Sequence, residues 1–151
     1  MKVLIVYDSV YGNTEKIARA IAEAITPSNE VKVLGAGEAS PSNLESTDVL
    51  IVGSPTHGGR PTPAIQDLLK KVPKLSLQGI NVVAFDTRLS TKLVGVFGYA
   101  AGRMAGNLKR KGGTLIASPE GFFVTGGQGP LKEGELERAA TWAKGILEGK
   151  K

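Results

Sequence analysis

The sequence contains no cysteine and a single histidine, His57. Without cysteine there are no disulfides, no thiolate zinc sites and no thiol nucleophile. One histidine likewise excludes a metal site built from several imidazoles. The phosphate-binding patterns G-x-x-x-x-G-K-[ST] and G-x-G-x-x-G are also absent, which argues against a P-loop and against the Rossmann type of dinucleotide site. We therefore expect no metal centre and no thiol chemistry.

Long apolar runs are missing as well. None approaches the ~20 residues needed to span a bilayer, and Met1 leads into apolar residues without the basic start of a secretory signal. We expect no membrane association and a cytoplasmic location. With 151 residues, 41% of them hydrophobic and 22% charged, the chain predicts a single globular domain over residues 1–151.

The net charge is +5, and its excess lies in residues 76–151, which hold eleven basic and six acidic side chains. Arg103 and Lys109-Arg110-Lys111 form the densest basic cluster. A helix end rich in cations explains this cluster; the alternative is a docking face for an acidic partner or an anionic cofactor phosphate. Because no aromatic residues alternate with the basic ones, we expect no nucleic-acid binding.

Apolar runs alternate with helical periodicities along the chain. Five strands alternating with helices are typical of a parallel sheet covered by helices on both faces, and ligands of such sheets bind beyond the carboxyl ends of the strands. The segment 36–47 predicts at most a short turn of helix. Strands are predicted at residues 2–7, 31–35, 49–53, 80–85 and 114–118, and helices at about 13–26, 62–72, 97–111 and 134–148.

The first predicted strand, Val3–Asp8, runs directly into the small polar residues Ser9–Thr14 and then into a helix. A helix N-terminus offers unpaired N–H groups and partial positive charge to an anion. Gly12 lets the backbone approach a ligand closely. Because this loop has no Lys or Arg, it predicts a site for a phosphate monoester held by neutral donors.

Two more polar segments follow apolar strands, Gly53–Pro61 and Asp86–Leu89. The carboxyl ends of parallel strands meet at one edge of the sheet. We therefore expect the three segments to line one crevice, with a phosphate at the first and a flat polar ring between the other two.

These segments resemble the flavodoxin family of FMN-binding proteins. Ser9, Tyr11, Gly12 and Thr14 match the phosphate-loop pattern Ser/Thr-x-Thr-Gly-x-Thr of that family, and Val49–Arg60 is similar to its second flavin loop. The likeness extends through the last helix. It implies a flavodoxin-like three-layer α/β fold with a five-stranded parallel sheet in the order 2-1-3-4-5, and FMN as the cofactor.

The resemblance also implies a role for each segment. The first would hold the FMN phosphate, the second the ribityl chain and one edge of the ring, and the third the other edge. In this family a peptide of the second loop turns over when the flavin accepts an electron, for which Gly58 and Gly59 are the candidates. The implied FMN-binding residues are Ser9, Val10, Tyr11, Gly12, Asn13, Thr14, Pro55, Thr56, His57, Gly58, Gly59, Arg60, Asp86, Thr87 and Arg88.

Aromatic residues depart from the family pattern. Tyr11 stands where the family has Thr, so it either stacks over the flavin or caps the loop. The later segments supply His57 but no aromatic at residues 86–89, where flavodoxins usually sandwich the ring. Phe97 and Tyr99 are the candidates to replace it.

Charge departs from the pattern too, since typical flavodoxins are acidic and this chain has a pI near 9.5. We expect redox partner proteins, a reductase and an acceptor, that present an acidic docking face. With few carboxylates and with Arg60 and Arg88 near the flavin, the second reduction potential is predicted to be less negative than in an acidic flavodoxin.

Three functions remain open at this point. The favoured one is an electron-transfer flavoprotein that shuttles electrons between redox partners and needs no catalytic residues. The alternative is an FMN-dependent NAD(P)H:quinone-type reductase, and the third is a binding module that has lost the flavin. The glycine-rich segment 118–130 is either a continuation of the fifth strand, a lid or an interface.

Overall fold

The computed structural model describes residues 1–89 and 99–148. Within them, no helix is both long and apolar enough to cross a membrane. The elements are β1 (Lys2–Tyr7), α1 (Asn13–Ile25), a 3-10 turn (Thr26–Ser28), β2 (Glu30–Gly35), α2 (Pro41–Glu45), β3 (Val49–Pro55), α3 (Pro63–Lys71), β4 (Asn81–Leu89), α4 (Ala100–Arg110), β5 (Thr114–Leu115), β6 (Glu120–Val124) and α5 (Glu135–Glu148).

Helix boundaries follow local sequence signals. α1 buries Ile17, Ile21 and Ile25 along one face, the four-residue spacing of an amphipathic helix. α3 begins at Pro63, because proline suits the first helical position, where its missing N–H costs nothing. The observed α1, α3 and α5 lie within one residue of the predicted bounds. α4 begins at Ala100, and the predicted start at residue 97 lies outside the described residues.

All strands of the sheet run parallel. Their order is β2-β1-β3-β4-β5, and β6 pairs with the distal part of β4, which confirms the predicted order. β5 pairs with Asn81 and Val82, whereas β6 pairs with Phe85–Leu89. The fifth strand position is thus filled by two pieces. The prediction of one strand over residues 114–118 is wrong in its extent, and the continuation interpretation is confirmed for Glu120–Val124.

β4 extends four residues beyond its predicted end, through Leu89. The prediction of a loop at residues 86–89 is therefore wrong. The strand continues because it has a partner on each side: Ser54 and Pro55 of β3 pair with it on one side, and β6 pairs with it on the other. The β6 partner comes from more than thirty residues further along the chain, so local sequence does not reveal it.

Two hydrophobic layers cover the sheet. Side chains alternate between the faces of a strand, so Ile51 of β3 packs with α1 and α5 while Leu50 and Val52 pack with α2, α3 and α4. β2 is the edge strand and alternates between exposed and partly buried residues, as its sequence predicts. The result is the expected three-layer α/β fold, with α1 and α5 on one face.

A buried ion pair joins the start of α5 to β6. The Glu135 carboxylate, in a residue only 8% exposed, accepts the Phe123 N–H at 2.7 Å and two Arg138 hydrogen bonds at 2.9 and 2.7 Å. The Arg138 guanidinium also lies over the Phe122 ring, 4.5 Å from its centroid. The Arg138 hydrogen bonds, helped by the Phe123 N–H and opposed by burial, lower the pKa of Glu135.

We expect Glu135→Gln to reduce the free energy of unfolding at pH 7 by about 1–3 kcal/mol, because the buried carboxylate loses its charge-assisted bonds to the half-buried guanidinium of Arg138. The pKa of Glu135 is lowered by folding. Its contribution is therefore present above the ordinary value of 4.5 and is lost as the pH falls through the lower folded value. Urea unfolding at pH 7 and in acid measures both effects.

The control is Glu137→Gln, which removes an exposed carboxylate from the same helix. It should change stability by less than about 0.5 kcal/mol. Equal losses for the two variants at pH 7 would contradict the assigned role of Glu135.

Candidate functional site

A cleft of about 280 Å³ opens at the carboxyl ends of β1, β3 and β4. The chain leaves β1 for a helix on one face of the sheet and leaves β3 for a helix on the other face, so the cleft lies at the switch point where ligands of such sheets bind. The described residues that line it are Ser9, Val10, Tyr11, Asn13, Thr14, Pro55, Thr56, His57, Gly58, Thr87, Arg88, Leu89, Val124 and Gly127.

Most of the residues predicted for the site meet in this cleft, but four do not line it: Gly12, Gly59, Arg60 and Asp86. Leu89 belongs to the third predicted segment, although it was not among the implied FMN-binding residues, whereas the lining residues Val124 and Gly127 escaped prediction. The only sequence signal for the last two was the unusual glycine content of residues 118–130. Their position depends on the distant β6 pairing, which no local pattern reveals.

The first segment forms an anion cradle at the N-terminus of α1. Gly12 precedes the helix with φ 91°, a conformation that favours glycine. The Ser9 hydroxyl accepts the Gly12 N–H at 3.0 Å and approaches the Glu15 N–H at 3.4 Å. The N–H groups of Asn13 and Thr14 have no acceptor within the described chain. These two N–H groups and the helix dipole fit a phosphate group without any cation.

Two threonine hydroxyls connect this cradle to the centre of the sheet. The Thr14 Oγ1 lies 2.8 Å from the Thr87 Oγ1 in a buried hydrogen bond. Thr14 belongs to α1 and Thr87 to β4, so the bond fixes the helix start relative to the strand. Because a hydroxyl donates one hydrogen but accepts two, Thr14 can donate to a phosphate while accepting from Thr87.

The glycine-rich turn of the second segment wraps back on itself. The N–H groups of His57 and Arg60 donate to each other's carbonyls at 2.9 and 3.1 Å. Gly58 and Gly59 both have positive φ, 57° and 78°, as the two central residues of a type I′ turn require. This turn presents His57 and Gly58 to the cleft.

The two peptides after Gly58 and Gly59 differ in how firmly they are held. Arg103 Nε donates to the Gly59 carbonyl at 2.7 Å, which fixes the Gly59–Arg60 peptide together with the bond from Arg60 to His57. The Gly58 carbonyl has no donor among the described residues. Of the two candidate positions for the expected peptide turnover, the structure therefore favours Gly58; the turnover itself stays a prediction.

The third segment is a strand whose polar groups bond to each other. Asp86 is fully buried, and its carboxylate pairs with Arg88 at 2.6 and 2.8 Å and accepts the Ala101 N–H at 2.9 Å. Strand alternation places Asp86 and Arg88 on the face towards α4 and Thr87 on the face towards α1. The expectation that Asp86 reaches a ligand therefore lacks support, since its oxygens are already bonded inside the protein.

Arg88 also covers one face of Tyr99, with its guanidinium carbon 3.4 Å from the ring centroid. Gly121 of β6 leaves room for this arrangement, because a Cβ there would overlap the guanidinium. Tyr99 is not among the lining residues of the cleft, and Phe97 lies outside the described residues. Within the described chain, Tyr11 is the one aromatic residue that lines the cleft, and it is 53% exposed.

The sequence model of the flavodoxin family matches residues 5–142. The chain belongs to the flavodoxin family. It is an FMN-binding domain for electron transfer. The site fits this cofactor, since the cradle of neutral donors suits the FMN phosphate and the remaining segments form walls on either side of the cleft.

Among curated proteins, the putative diflavin flavoprotein A 5 of Nostoc sp. is 39% identical over 103 residues, covering 65% of this chain and 16% of that protein. The chain thus spans about one sixth of the length of the curated diflavin relatives that it matches. Longer proteins of this kind contain a stretch similar to this flavodoxin chain.

Solved structures share the fold over nearly the whole chain. Flavodoxin 2 from Bacillus cereus superposes with a TM-score of 0.85 at 24% identity, covering 99% of both chains. Rubredoxin oxygen:oxidoreductase from Desulfovibrio gigas superposes with a TM-score of 0.78 at 26% identity, covering 98% of this chain and 35% of the other.

The cleft contains less uncompensated positive charge than the sequence predicts for it. The prediction of a less negative second reduction potential counted Arg60 and Arg88 as charges near the flavin. Asp86 compensates Arg88 inside the protein, and Arg60 lines a separate groove. The structure therefore removes the part of the prediction that rests on these two arginines, and the potential itself stays untested.

We expect Arg88→Met to lower the free energy of unfolding by about 3–5 kcal/mol, because it leaves the buried Asp86 carboxylate without its counter-ion. Adding Asp86→Asn should recover part of the loss. Urea denaturation of the apoprotein measures both, and Arg60→Met, at an exposed arginine, is the control. If R88M were no less stable than R60M, the Asp86–Arg88 pair would not hold β4 to α4.

We expect Thr14→Val to weaken FMN binding by about 10–150-fold, the equivalent of one hydrogen bond to a charged group. Flavin fluorescence quenching gives the dissociation constant. Thr47→Val is the matched control, because the Thr47 hydroxyl bonds the Lys2 carbonyl at the opposite end of the sheet. A similar FMN affinity in T14V and T47V would show that Thr14 does not contact the phosphate.

Proposed function

We propose that this chain is an electron carrier that shuttles electrons between redox proteins, with FMN in the cleft at the ends of β1, β3 and β4. The observation that carries the proposal is the size of the cleft. Its volume of about 280 Å³ lies just below the roughly 300–1,000 Å³ of ordinary small-molecule pockets. A ligand as large as FMN would fill it and reach the surface, and the described residues enclose no further space in the cleft for an organic substrate.

FMN supplies the reversible uptake of one or two electrons. The chain binds and orients it. The N–H groups of Asn13 and Thr14 and the Thr14 hydroxyl hold the phosphate, while Pro55–Gly58 and Thr87–Leu89 form walls along the ring. Tyr11 and His57 are exposed at the mouth of the cleft and shield the bound ring from water. No residue is given a catalytic role, since electron transfer moves no group of a substrate.

The names of the relatives support the proposal that the electron partners of this chain are proteins. The name of the Desulfovibrio gigas protein says that it works with rubredoxin, which is itself a small redox protein. This chain spans only part of that protein, so the activity of the longer relatives is not transferred to it. What we carry over is the class of partner, a protein that exchanges electrons with a flavin near the surface. Residues 1–151 are proposed to work as one flavin domain.

The first test compares FMN with riboflavin. We expect FMN to bind at least about 100-fold more tightly, because riboflavin lacks the phosphate that the α1 cradle holds through charge-assisted hydrogen bonds. Titration of the apoprotein with each flavin, followed by fluorescence, gives the two dissociation constants. Equal affinities would place the phosphate outside the cradle.

The second test separates a carrier from a reductase. Photoreduced holoprotein should pass electrons to an added redox protein, whereas NAD(P)H and a quinone should give no turnover without a reductase. Rapid NAD(P)H oxidation by the purified holoprotein would instead support the quinone reductase. Failure to bind FMN would leave only a binding module.

A further inference from the structure

A second groove, which we call the basic groove, lies between α3 and α4 and has a volume of about 260 Å³. Its polar lining residues are Arg60, Gln66, Lys70, Arg103, Asn107 and Arg110. Four of these six are basic residues. Neither the FMN site nor the hydrophobic core explains their concentration in one groove.

Three of the four cations of this groove lack an acidic partner in the part of the chain that the structure describes. Among the described residues, no carboxylate lies within salt-bridge distance of Arg60, Lys70 or Arg110. The imbalance extends over that whole face, where α2, α3 and α4 carry five Lys or Arg and two carboxylates. On the opposite face, α1 and α5 carry four Lys or Arg and five carboxylates. The described helices on one face of the sheet are therefore net basic, and those on the other face are nearly balanced.

The basic groove and the FMN cleft share a wall. Arg60 closes the turn that presents His57 and Gly58 to the cleft. Arg103 lines the groove and holds the Gly59 carbonyl of the same turn at 2.7 Å. A partner seated in the groove therefore touches the turn that borders the flavin.

We propose that the basic groove is the docking site for a carboxylate-rich surface of a redox partner protein, which it positions beside the exposed edge of the flavin. This inference rests on the proposed carrier function and names the partner by its chemistry.

The spacing of the cations favours a protein surface over a small anion. Arg103 and Arg110 are seven residues apart on α4, which corresponds to about 10 Å along the helix axis, and Lys70 comes from a different helix. One phosphate cannot contact all three, whereas separated carboxylates on a protein surface can. No aromatic side chain lines the described groove, so a nucleotide base has no ring to stack on.

The test uses photoreduced holoprotein and an acidic rubredoxin as the probe, with stopped-flow measurement of the bimolecular rate at low and high salt. The groove variant is Lys70→Glu with Arg110→Glu. The matched control is Lys32→Glu with Lys144→Glu, at exposed lysines on β2 and α5. Both double variants change the net charge by the same amount, so a difference between them reports position and not total charge.

At low salt the groove variant should reduce rubredoxin about tenfold more slowly than wild type, and the control less than twofold. Salt should abolish most of the difference, because it screens exposed charges. Equal slowing in both variants, or no slowing in either, would overturn the docking site. NADPH oxidation by wild type that is lost in the groove variant would make the groove a nucleotide site and would also overturn it.

The FMN titration distinguishes a failure of the docking site from a failure of the proposed carrier function. If wild type does not bind FMN, both fail. If wild type binds FMN and reduces rubredoxin, but the two double variants behave alike, the carrier function stands and only the docking site fails.

Discussion

The length of β4 is the constraint on which the site depends. This strand pairs with β3 on one side and with β5 and β6 on the other, and its last two residues, Arg88 and Leu89, pair with β6 alone. That pairing places the Thr87 hydroxyl against Thr14, and it aligns Asp86 and Arg88 with the start of α4. Without β6, the end of β4 would lack half of its backbone hydrogen bonds, and both walls of the cleft would lose their support.

Charges in this flavodoxin are arranged so that the cofactor site itself is nearly neutral. Backbone N–H groups and hydroxyls form the proposed phosphate cradle, and the one arginine among the described lining residues is paired with a buried carboxylate. Three cations without a carboxylate partner among the described residues, Arg60, Lys70 and Arg110, line the neighbouring basic groove. The proposed function and the proposed docking site would thus use separate places: a cleft that binds the cofactor through fixed dipoles, and a surface that attracts a partner through long-range charge.

Local sequence predicted the helices, most of the strands and the position of the first two segments, because each depends on residues that are neighbours in the chain. The apolar run of β1 and the spacing of Ile17, Ile21 and Ile25 are of this kind. The strand order instead came from the resemblance to the flavodoxin family. Local sequence failed where distant residues meet. The end of β4 looked like a loop because its polar residues are typical of loops, and their partners in β6 and α4 are invisible locally. Arg60 was assigned to the flavin because the sequence does not predict the path of a two-glycine turn, which places this side chain in the basic groove.

The division of the fifth strand position has a consequence for how such a chain can change. β5 and β6 pair with separate parts of β4, so the short connection between Leu115 and Glu120 carries little of the sheet's bonding. Lengthening a loop is inexpensive, since closure entropy grows only with the logarithm of its length. The connection is therefore a site where the chain should tolerate an insertion, natural or engineered, at the edge of the sheet while the cofactor site keeps its geometry.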